Sequence, residues 1–276
     1  MKVALTFVNL VLLAGATLLL LLTVLSGSSN HRPLNEFYWL KANTSGIPGA
    51  PSFSAWTFWG VCERDDYSKC TNGPAYPISP VDNFSTTSDV PEKFIKNKDM
   101  FYYLTRFSFA FTLVGLGFAG VALIIDILGF CFTSIDKVVV AFVAISLFFT
   151  AGVAAFQTAA CVLAKQAFND ANLSATVGLK SMAIIWAAVV CLLLSFFNTC
   201  AANISNSYKK HMDNVRSQKE YDSYSQPPPV TTTGPEGDES SFTRAAPEPE
   251  LKEESSGGVR FFKIKRNAKV SDDESV

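Results

Sequence analysis

Four long apolar segments constrain this chain more than any other feature of its sequence. They run over residues 4–25, 107–132, 138–164 and 182–202. At about 1.5 Å of rise per residue, a helix over each segment would cross the roughly 30 Å hydrocarbon core of a bilayer. We therefore predict an all-α membrane protein whose four transmembrane helices pack as a bundle.

The segments between the spans set the predicted topology. They are the N-terminal residues 1–3, the connecting segments 26–106, 133–137 and 165–181, and the C-terminal tail 203–276. Basic residues follow the second and fourth spans: Lys137, Lys209, Lys210, Arg216 and Lys219. Short segments that carry an excess of Lys and Arg stay in the cytoplasm. Both termini are therefore predicted to be cytoplasmic, and the other two connecting segments are predicted to be extracellular.

The first apolar segment also has features of a cleaved signal peptide. Lys2 is its only flanking charge, and small residues follow at Ser26, Gly27 and Ser28. Its apolar stretch exceeds the usual signal-peptide core of about 7–15 residues, which favours a retained span. Cleavage would leave the topology of every later segment unchanged.

Two tryptophans and two cysteines lie close together in segment 26–106. Cys62 and Cys70 face an oxidising compartment in the predicted topology, so we expect a disulfide between them. A metal site is the weaker interpretation, because the segment has no Cys-x-x-Cys pair and no His near the cysteines. Trp56 and Trp59 either fill a small core that the disulfide pins, or anchor the chain at the membrane interface.

The same segment is predicted to fold as a small ectodomain rather than to form a loose tether. Its aromatic side chains supply apolar surface to bury, and its prolines supply turns. Aromatic content favours short β-strands over residues 37–42 and 55–61.

Trp59, Gly60, Cys62 and Cys70, in the first extracellular segment of a four-span chain, resemble the claudin-superfamily signature. Claudins place Gly-Leu before the last Trp, whereas Gly60 follows Trp59 here, so the chain departs from a true claudin. Neighbouring motifs, including the WTFWG that begins at Trp56, resemble more closely the fungal Sur-seven/PalI tetraspan family. They are NEFYW at 35–39, NTSGIP at 43–48, WTFWG at 56–60, PAYPISPVDNF at 74–84 and FYYLTRF at 101–107.

This resemblance covers most of residues 1–205 and implies a function. Members of the family form stable patches in the fungal plasma membrane, at furrows scaffolded by eisosomes. They are linked to endocytosis, cell-wall organisation, sporulation and sphingolipid balance, without a known reaction. The implied partners are membrane lipids (a sphingolipid, a sterol or an anionic lipid), eisosome proteins and further copies of the chain.

Two asparagines are candidates for glycosylation. Asn43 and Asn83 each begin an Asn-x-Ser sequon in the predicted ectodomain. Two further sequons are set aside, because Asn172 lies close to the membrane and Asn203 is predicted to be cytoplasmic.

Small residues in the second and third spans predict close helix packing. Gly115, Gly117 and Gly120 form a G-x-G-x-x-G pattern in the second span. A dinucleotide site needs a preceding strand and an aqueous setting, so we interpret these glycines, with Ala151 and Ala155 of the third span, as helix-contact surfaces.

The spans contain few polar residues, which argues against a transporter or channel. Asp126, near the cytoplasmic end of the second span, is expected to reach the lipid headgroups or to pair with Lys137. Gln157 and Thr158 of the third span are expected to form hydrogen bonds between helices.

The tail, residues 203–276, is predicted to be disordered, because it is rich in polar and acidic residues and in proline. One basic and aromatic cluster in it suits anionic lipid better than nucleic acid. Its residues are Arg260, Phe261, Phe262, Lys263, Lys265 and Arg266. Ser271 and Ser275 are phosphorylation candidates whose added negative charge would weaken that attraction.

Cys131 and Cys200, near the cytoplasmic ends of the second and fourth spans, are either palmitoylation sites or apolar filler.

These features predict a non-enzymatic protein that organises the plasma membrane, without cofactor, metal, nucleic acid or small-molecule substrate. The two histidines, His31 and His211, lie far apart in the sequence, and no nucleophile adjoins a base. The alternative is an accessory subunit of a membrane transporter or a cell-wall synthase, which would purify with a stoichiometric partner. A claudin-like adhesion module is a third possibility, although a cell wall would normally prevent contact between two membranes.

Overall fold

Helices and one small sheet make up the part of the chain that the computed structural model describes, residues 2–29, 31, 34–63, 66–129 and 136–225. In chain order, the first elements are α1 (Lys2–Leu25), a 3₁₀ turn (Leu34–Glu36), β1 (Leu40–Asn43), β2 (Phe53–Trp56), β3 (Gly60–Glu63) and β4 (Asp66–Asn72). They are followed by α2 (Pro80–Phe84), α3 (Glu92–Lys96), α4 (Lys98–Leu128), α5 (Asp136–Asp170), β5 (Ala175–Val177) and α6 (Leu179–Ser225).

The four long helices, α1, α4, α5 and α6, pack against one another as a bundle. Each contains a stretch that is long and apolar enough to cross a membrane, which confirms the predicted four-helix membrane fold. On α1, the buried residues Leu13, Ala16 and Leu20 recur at helical spacing and face the bundle. Leu18 lies on the opposite face and is 56% exposed, so this face suits contact with lipid.

The five strands form one antiparallel sheet in the order β4-β3-β2-β1-β5. The expected strand over residues 37–42 is shorter than predicted and begins at Leu40. The expected single strand over residues 55–61 is wrong, because two strands meet there in a hairpin. The amide of Thr57 donates to the carbonyl of Gly60 (2.9 Å), and this bond closes the turn between β2 and β3.

The last strand, β5, comes from the third connecting segment, residues 165–181, for which no strand was predicted. It pairs antiparallel with β1, and the amide of Asn43 donates to the carbonyl of Ser174 (2.8 Å) beside the pair. Gly178 follows β5 directly. A Cβ atom on Gly178 would lie 1.7 Å from the carbonyl oxygen of Tyr38, so only glycine allows the two segments to approach this closely. The connecting segments 26–106 and 165–181 therefore build one sheet together.

Buried aromatic side chains join the sheet to the helices beneath it. Trp56 packs on Phe168 of α5 with ring centroids 5.9 Å apart, and Phe94 of α3 contacts both Phe168 (5.0 Å) and Phe101 of α4 (4.6 Å). These four side chains are at most 2% exposed. Burial of such large rings supplies apolar free energy that holds the sheet against the bundle.

All four long helices extend beyond the predicted spans, α1 only from residue 4 back to Lys2. Helix α4 begins at Lys98 instead of residue 107, and α5 ends at Asp170 instead of residue 164. Helix α6 continues to Ser225, so the predicted disorder of the tail is wrong for residues 203–225. Those residues contain no Gly or Pro, and the first proline follows at Pro227, so nothing in the sequence breaks the helix. Hydropathy marks the end of the apolar stretch and not the end of the helix.

Candidate functional site

The predicted disulfide between Cys62 and Cys70 is present and joins β3 to β4. The two residues are direct partners in the strand register, with their Cα atoms 4.0 Å apart. They are separated by 8 positions in sequence, and closing so short a loop stabilises the folded state by about 2.5 kcal/mol in the chain-entropy model. The signature cysteines therefore fix the outer hairpin of the sheet.

Gly60 of the signature is required by the close approach of β4. A Cβ atom at this position would lie 2.3 Å from the carbonyl oxygen of Thr71 and 3.0 Å from the side-chain oxygen of Asn72. Any larger residue would separate the strands that the disulfide joins. The position of Gly60 directly after Trp59 thus has a steric cause in this sheet.

Trp56 is a core residue and also the centre of a small polar cluster. Its side chain is fully buried, and its indole nitrogen donates to the side-chain oxygen of Asn83 (2.6 Å). Asn83 also forms a hydrogen bond with Tyr76. Burial raises the pKa of Tyr76, and the bond to Asn83 offsets part of that increase. Trp56 therefore holds α2 against the sheet.

Trp59 connects the sheet to the first helix. Its indole nitrogen donates to the carbonyl oxygen of Val24 (2.6 Å), one of the last carbonyls of α1 and therefore one that no helical amide is expected to satisfy. Its ring meets that of Phe109 on α4 edge to face, with centroids 5.5 Å apart. Of the two interpretations from the sequence, the structure supports packing within the fold for both tryptophans.

The two predicted glycosylation sites differ in their surroundings. Asn43 ends β1, and its side-chain oxygen accepts hydrogen bonds from the amide (3.0 Å) and hydroxyl (2.8 Å) of Ser45, the third residue of its sequon. Asn83 is half-buried, and its oxygen is held by Trp56. Glycosylation at either site stays a prediction.

Only part of the predicted helix-contact surface lies between helices. A Cβ atom on Gly115 would lie 2.8 Å from the hydroxyl of Thr150 on α5, and the hydroxyl of Ser146 donates to the carbonyl of Gly115 (2.8 Å). In contrast, a Cβ atom on Gly117 or Gly120 would meet nothing within 4 Å. The bundle therefore uses only Gly115 of the three glycines.

The small residues predicted for the third span also turn away from the bundle core. Ala155 is exposed and Ala151 is half-buried, whereas Ala154, Ala160 and Ala164 are fully buried. The sequence does not show which small residues of α5 face the bundle, because both faces of this helix are rich in small and apolar residues.

A polar cluster that the sequence did not reveal lies in the bundle at the end opposite to the sheet. The amide group of Asn9 on α1 donates to the carboxylate of Asp126 on α4 (3.0 Å), and the hydroxyl of Ser195 on α6 donates to the side-chain oxygen of Asn9 (2.7 Å). All three side chains are buried. The expectation that Asp126 reaches the headgroups is therefore wrong, and the alternative pairing with Lys137 stays a prediction. Asn9 is the one amide side chain in the apolar stretch 4–25, and that pattern is the signal for an inward-facing contact.

The two polar residues of the third span behave differently. The indole nitrogen of Trp186 on α6 donates to the hydroxyl of Thr158 (3.2 Å), which confirms the predicted bond between helices. Gln157 is buried, but its side-chain oxygen has no hydrogen-bond partner among the described residues. The prediction is therefore confirmed for Thr158 and not for the oxygen of Gln157.

Several predicted sites lie outside the described residues. They are Cys131, the lipid-binding cluster Arg260, Phe261, Phe262, Lys263, Lys265 and Arg266, and the phosphorylation candidates Ser271 and Ser275. Cys200 is half-buried on α6 and carries a free thiol.

Comparison with known proteins matches the sequence to a known family. The sequence profile described as the SUR7/PalI family matches residues 5–198, which contain the whole sheet and nearly all of the four apolar segments. The chain belongs to the SUR7/PalI family. It is 61% identical to Protein SUR7 of Candida albicans, over all of both chains. It is 36% identical to Protein SUR7 of Saccharomyces cerevisiae, over all of this chain and 98% of the relative.

A further relative carries information on location. The chain is 32% identical to an uncharacterized plasma membrane protein of Saccharomyces cerevisiae, over 95% of this chain and 88% of the relative. With four membrane-crossing helices, this SUR7/PalI family member is a multi-pass plasma-membrane protein. The family resemblance found in the sequence is confirmed.

Proposed function

We propose that this SUR7/PalI protein is a non-enzymatic organiser of the fungal plasma membrane, which assembles laterally into static cortical patches with eisosome proteins. Its similarity to Protein SUR7 of Candida albicans over the full length of both chains carries the proposal. In this role it supports cell-wall organisation, the control of endocytosis and the organisation of sphingolipids. Both termini lie in the cytoplasm, and the sheet faces the outside of the cell.

The lipid-facing side of α4 supports lateral self-association. Gly117 and Gly120 leave open space beside the helix backbone, as described above, and Leu113, Val114 and Val121 on the same helix are exposed. Within a membrane, helices associate where small residues let two backbones approach closely. A second copy of the chain that packed here would gain contacts that lipid tails cannot provide.

The joined sheet and bundle support a structural role for the outer part of the protein. The disulfide, the aromatic contacts to α4 and α5, and the bond from Trp59 to Val24 hold the sheet in one position on the helices. A surface fixed in this way presents the same contacts to every neighbour, which a static assembly requires.

Fluorescence recovery after photobleaching of the tagged full-length protein in a fungal cell tests the proposal. We expect immobile cortical patches for the wild type. Gly117→Leu/Gly120→Leu is expected to increase the mobile fraction, whereas Gly15→Leu, at a lipid-facing glycine of α1 with the same open space, is expected to leave it unchanged. A wild-type protein that diffuses freely over the whole membrane would refute the organiser role.

The disulfide provides a second comparison. Cys62→Ser/Cys70→Ser is expected to disperse the patches, and Cys191→Ala, which removes a half-buried free thiol, is expected to retain them. Purification then separates the two functional candidates. A transporter or cell-wall synthase in stoichiometric amount would favour the accessory-subunit alternative, whereas copies of the chain with eisosome proteins favour the organiser.

A further inference from the structure

An open pocket lies on the sheet where β5 pairs with β1. Its volume is about 220 Å³, several times the space of about 30 Å³ that one water molecule takes up in the liquid. Its walls include Tyr38, Lys41, Phe53, Ser174 and Thr176. The connecting segments 26–106 and 165–181 therefore build this pocket together, and neither forms it alone.

The pocket lies on the outer face of the sheet, the face turned away from the helices. Successive side chains of a strand point to opposite faces. Trp56 packs against α5 beneath the sheet, and Phe53, three positions earlier on β2, points to the opposite face. The strand register places Lys41 beside Thr176 and Asn43 beside Phe53, so these side chains share the outer face.

The walls of the pocket combine aromatic rings with polar groups. Tyr38 and Phe53 are half-buried, and the side chains of Ser174 and Thr176 are exposed, so a molecule in solution can reach them. The ammonium group of Lys41 lies over the ring of Tyr38, 4.3 Å from its centroid, and this contact holds it at the pocket. Lys41 is the one charged side chain among the described residues of the walls.

This combination suits one ring of an uncharged sugar. A pyranose ring has apolar C–H groups on its faces, which pack against aromatic rings, and hydroxyl groups around its edge. Those hydroxyls both donate and accept, as do the hydroxyls of Ser174 and Thr176, whereas an ammonium group only donates. Phosphate and carboxylate groups are usually held by charge-assisted bonds from arginine or from several donors. A pocket with a single lysine therefore favours a neutral saccharide over an anion.

One source of such a sugar lies beside the pocket. Asn43, which begins a sequon, is the direct partner of Phe53 in the strand register. Its backbone amide donates to the carbonyl of Ser174 (2.8 Å), so Asn43 lies between two residues of the walls. The first sugar of a glycan on Asn43 would leave the sheet next to the pocket. A polysaccharide outside the cell is the second source.

We propose that this pocket binds one ring of a neutral saccharide, packed on Phe53 and bonded by Lys41 and Thr176. The ring belongs either to a glycan that the chain carries on Asn43 or to a polysaccharide outside the cell, and the experiment distinguishes the two. The inference rests on one part of the proposed function, the position of the sheet outside the cell. It does not depend on assembly into patches, because a single copy of the chain forms the pocket.

Saturation-transfer NMR of the full-length protein in phosphatidylcholine nanodiscs measures saccharide binding. The probes are trimers of N-acetylglucosamine, of glucose and of mannose, each added alone to wild type and to Ser45→Ala, which removes the sequon but keeps Asn43. We expect at least one probe to bind at least one of these two proteins. Absence of binding to both, for all three probes, would overturn the proposal.

Substitutions in the walls locate the bound sugar. Phe53→Leu keeps apolar bulk but loses the flat ring, and it is expected to weaken binding about tenfold. Thr176→Val removes one hydroxyl at nearly constant shape and is expected to weaken binding about fivefold. Thr71→Val is the matched control, because it removes an exposed hydroxyl from β4, outside the pocket, and it should leave the affinity unchanged. Equal affinities in all of these proteins would show that the sugar binds elsewhere.

The comparison of wild type with Ser45→Ala identifies the source of the sugar. If a glycan on Asn43 fills the pocket, wild type binds no probe and Ser45→Ala binds one, and mass spectrometry finds the glycan on the Asn43 peptide. Equal binding by both proteins identifies a separate polysaccharide. A sheet on the cytoplasmic side would leave Asn43 unmodified without changing binding in nanodiscs, so an error in topology is distinguishable from an error in the pocket. Displacement of the sugar by inorganic phosphate would indicate an anion site and refute a neutral ligand.

Discussion

Replacing Trp59 by Phe tests how the sheet is attached to the first helix. The substitution removes the indole N–H that bonds to the carbonyl of Val24 but keeps an aromatic ring against Phe109. A hydrogen bond contributes about 1 kcal/mol net, and a buried acceptor that is left without a partner costs about 1–3 kcal/mol. We therefore expect the contact between the sheet and α1 to weaken by about 1–3 kcal/mol.

Hydrogen exchange of the protein in nanodiscs measures this change locally. A loss of about 1–3 kcal/mol corresponds to about 5- to 140-fold faster exchange of the amides at the end of α1, residues 24–29. Trp56→Phe is the matched control. It removes the bond to Asn83 within the sheet domain, so faster exchange is expected around α2 and not at the end of α1. Unchanged protection of residues 24–29 in Trp59→Phe would show that the indole bond does not hold the helix.

Three further substitutions probe the sheet and the bundle. Gly178→Ala is expected to destabilise the protein by about 3 kcal/mol, because its Cβ would overlap the backbone of Tyr38, whereas Gly46→Ala, with open space, should stay within about 0.5 kcal/mol of wild type in thermal unfolding. Similar unfolding temperatures for the two variants would contradict the close approach. Asn9→Leu removes both bonds of the polar cluster and should cost about 1–2 kcal/mol in detergent-induced unfolding. Asn198→Leu, which removes one exposed bond to α1, should cost less, and an equal loss would refute a special role for Asn9.

The parts of the fold that the sequence predicted depend on local composition. Four apolar runs of sufficient length define the spans, whatever the way in which the helices pack against one another. Cys62 and Cys70 have no competing cysteine in their segment, so their pairing follows once the segment is placed outside the cell. Each of these inferences needs only the residues of one stretch of chain.

The features that sequence reasoning missed depend on contacts between distant stretches. Strand β5 has three residues and gains its stability from β1, which lies before the second span. Asn9, Asp126 and Ser195 meet only because three helices are rotated in a particular way, and apolar residues on every side of a span conceal that rotation. The same rotation decides why Gly115 contacts α5 and Gly117 does not.

The two ends of the bundle are held together by different kinds of bond. At one end, β1 follows α1 and β5 precedes α6, so pairing of these strands fastens the first and last helices through the peptide backbone itself. At the other end, α1, α4 and α6 meet through the side chains of Asn9, Asp126 and Ser195. Backbone pairing resists separation better than a few side-chain contacts do. We therefore expect any lateral separation of the helices to begin at the end away from the sheet.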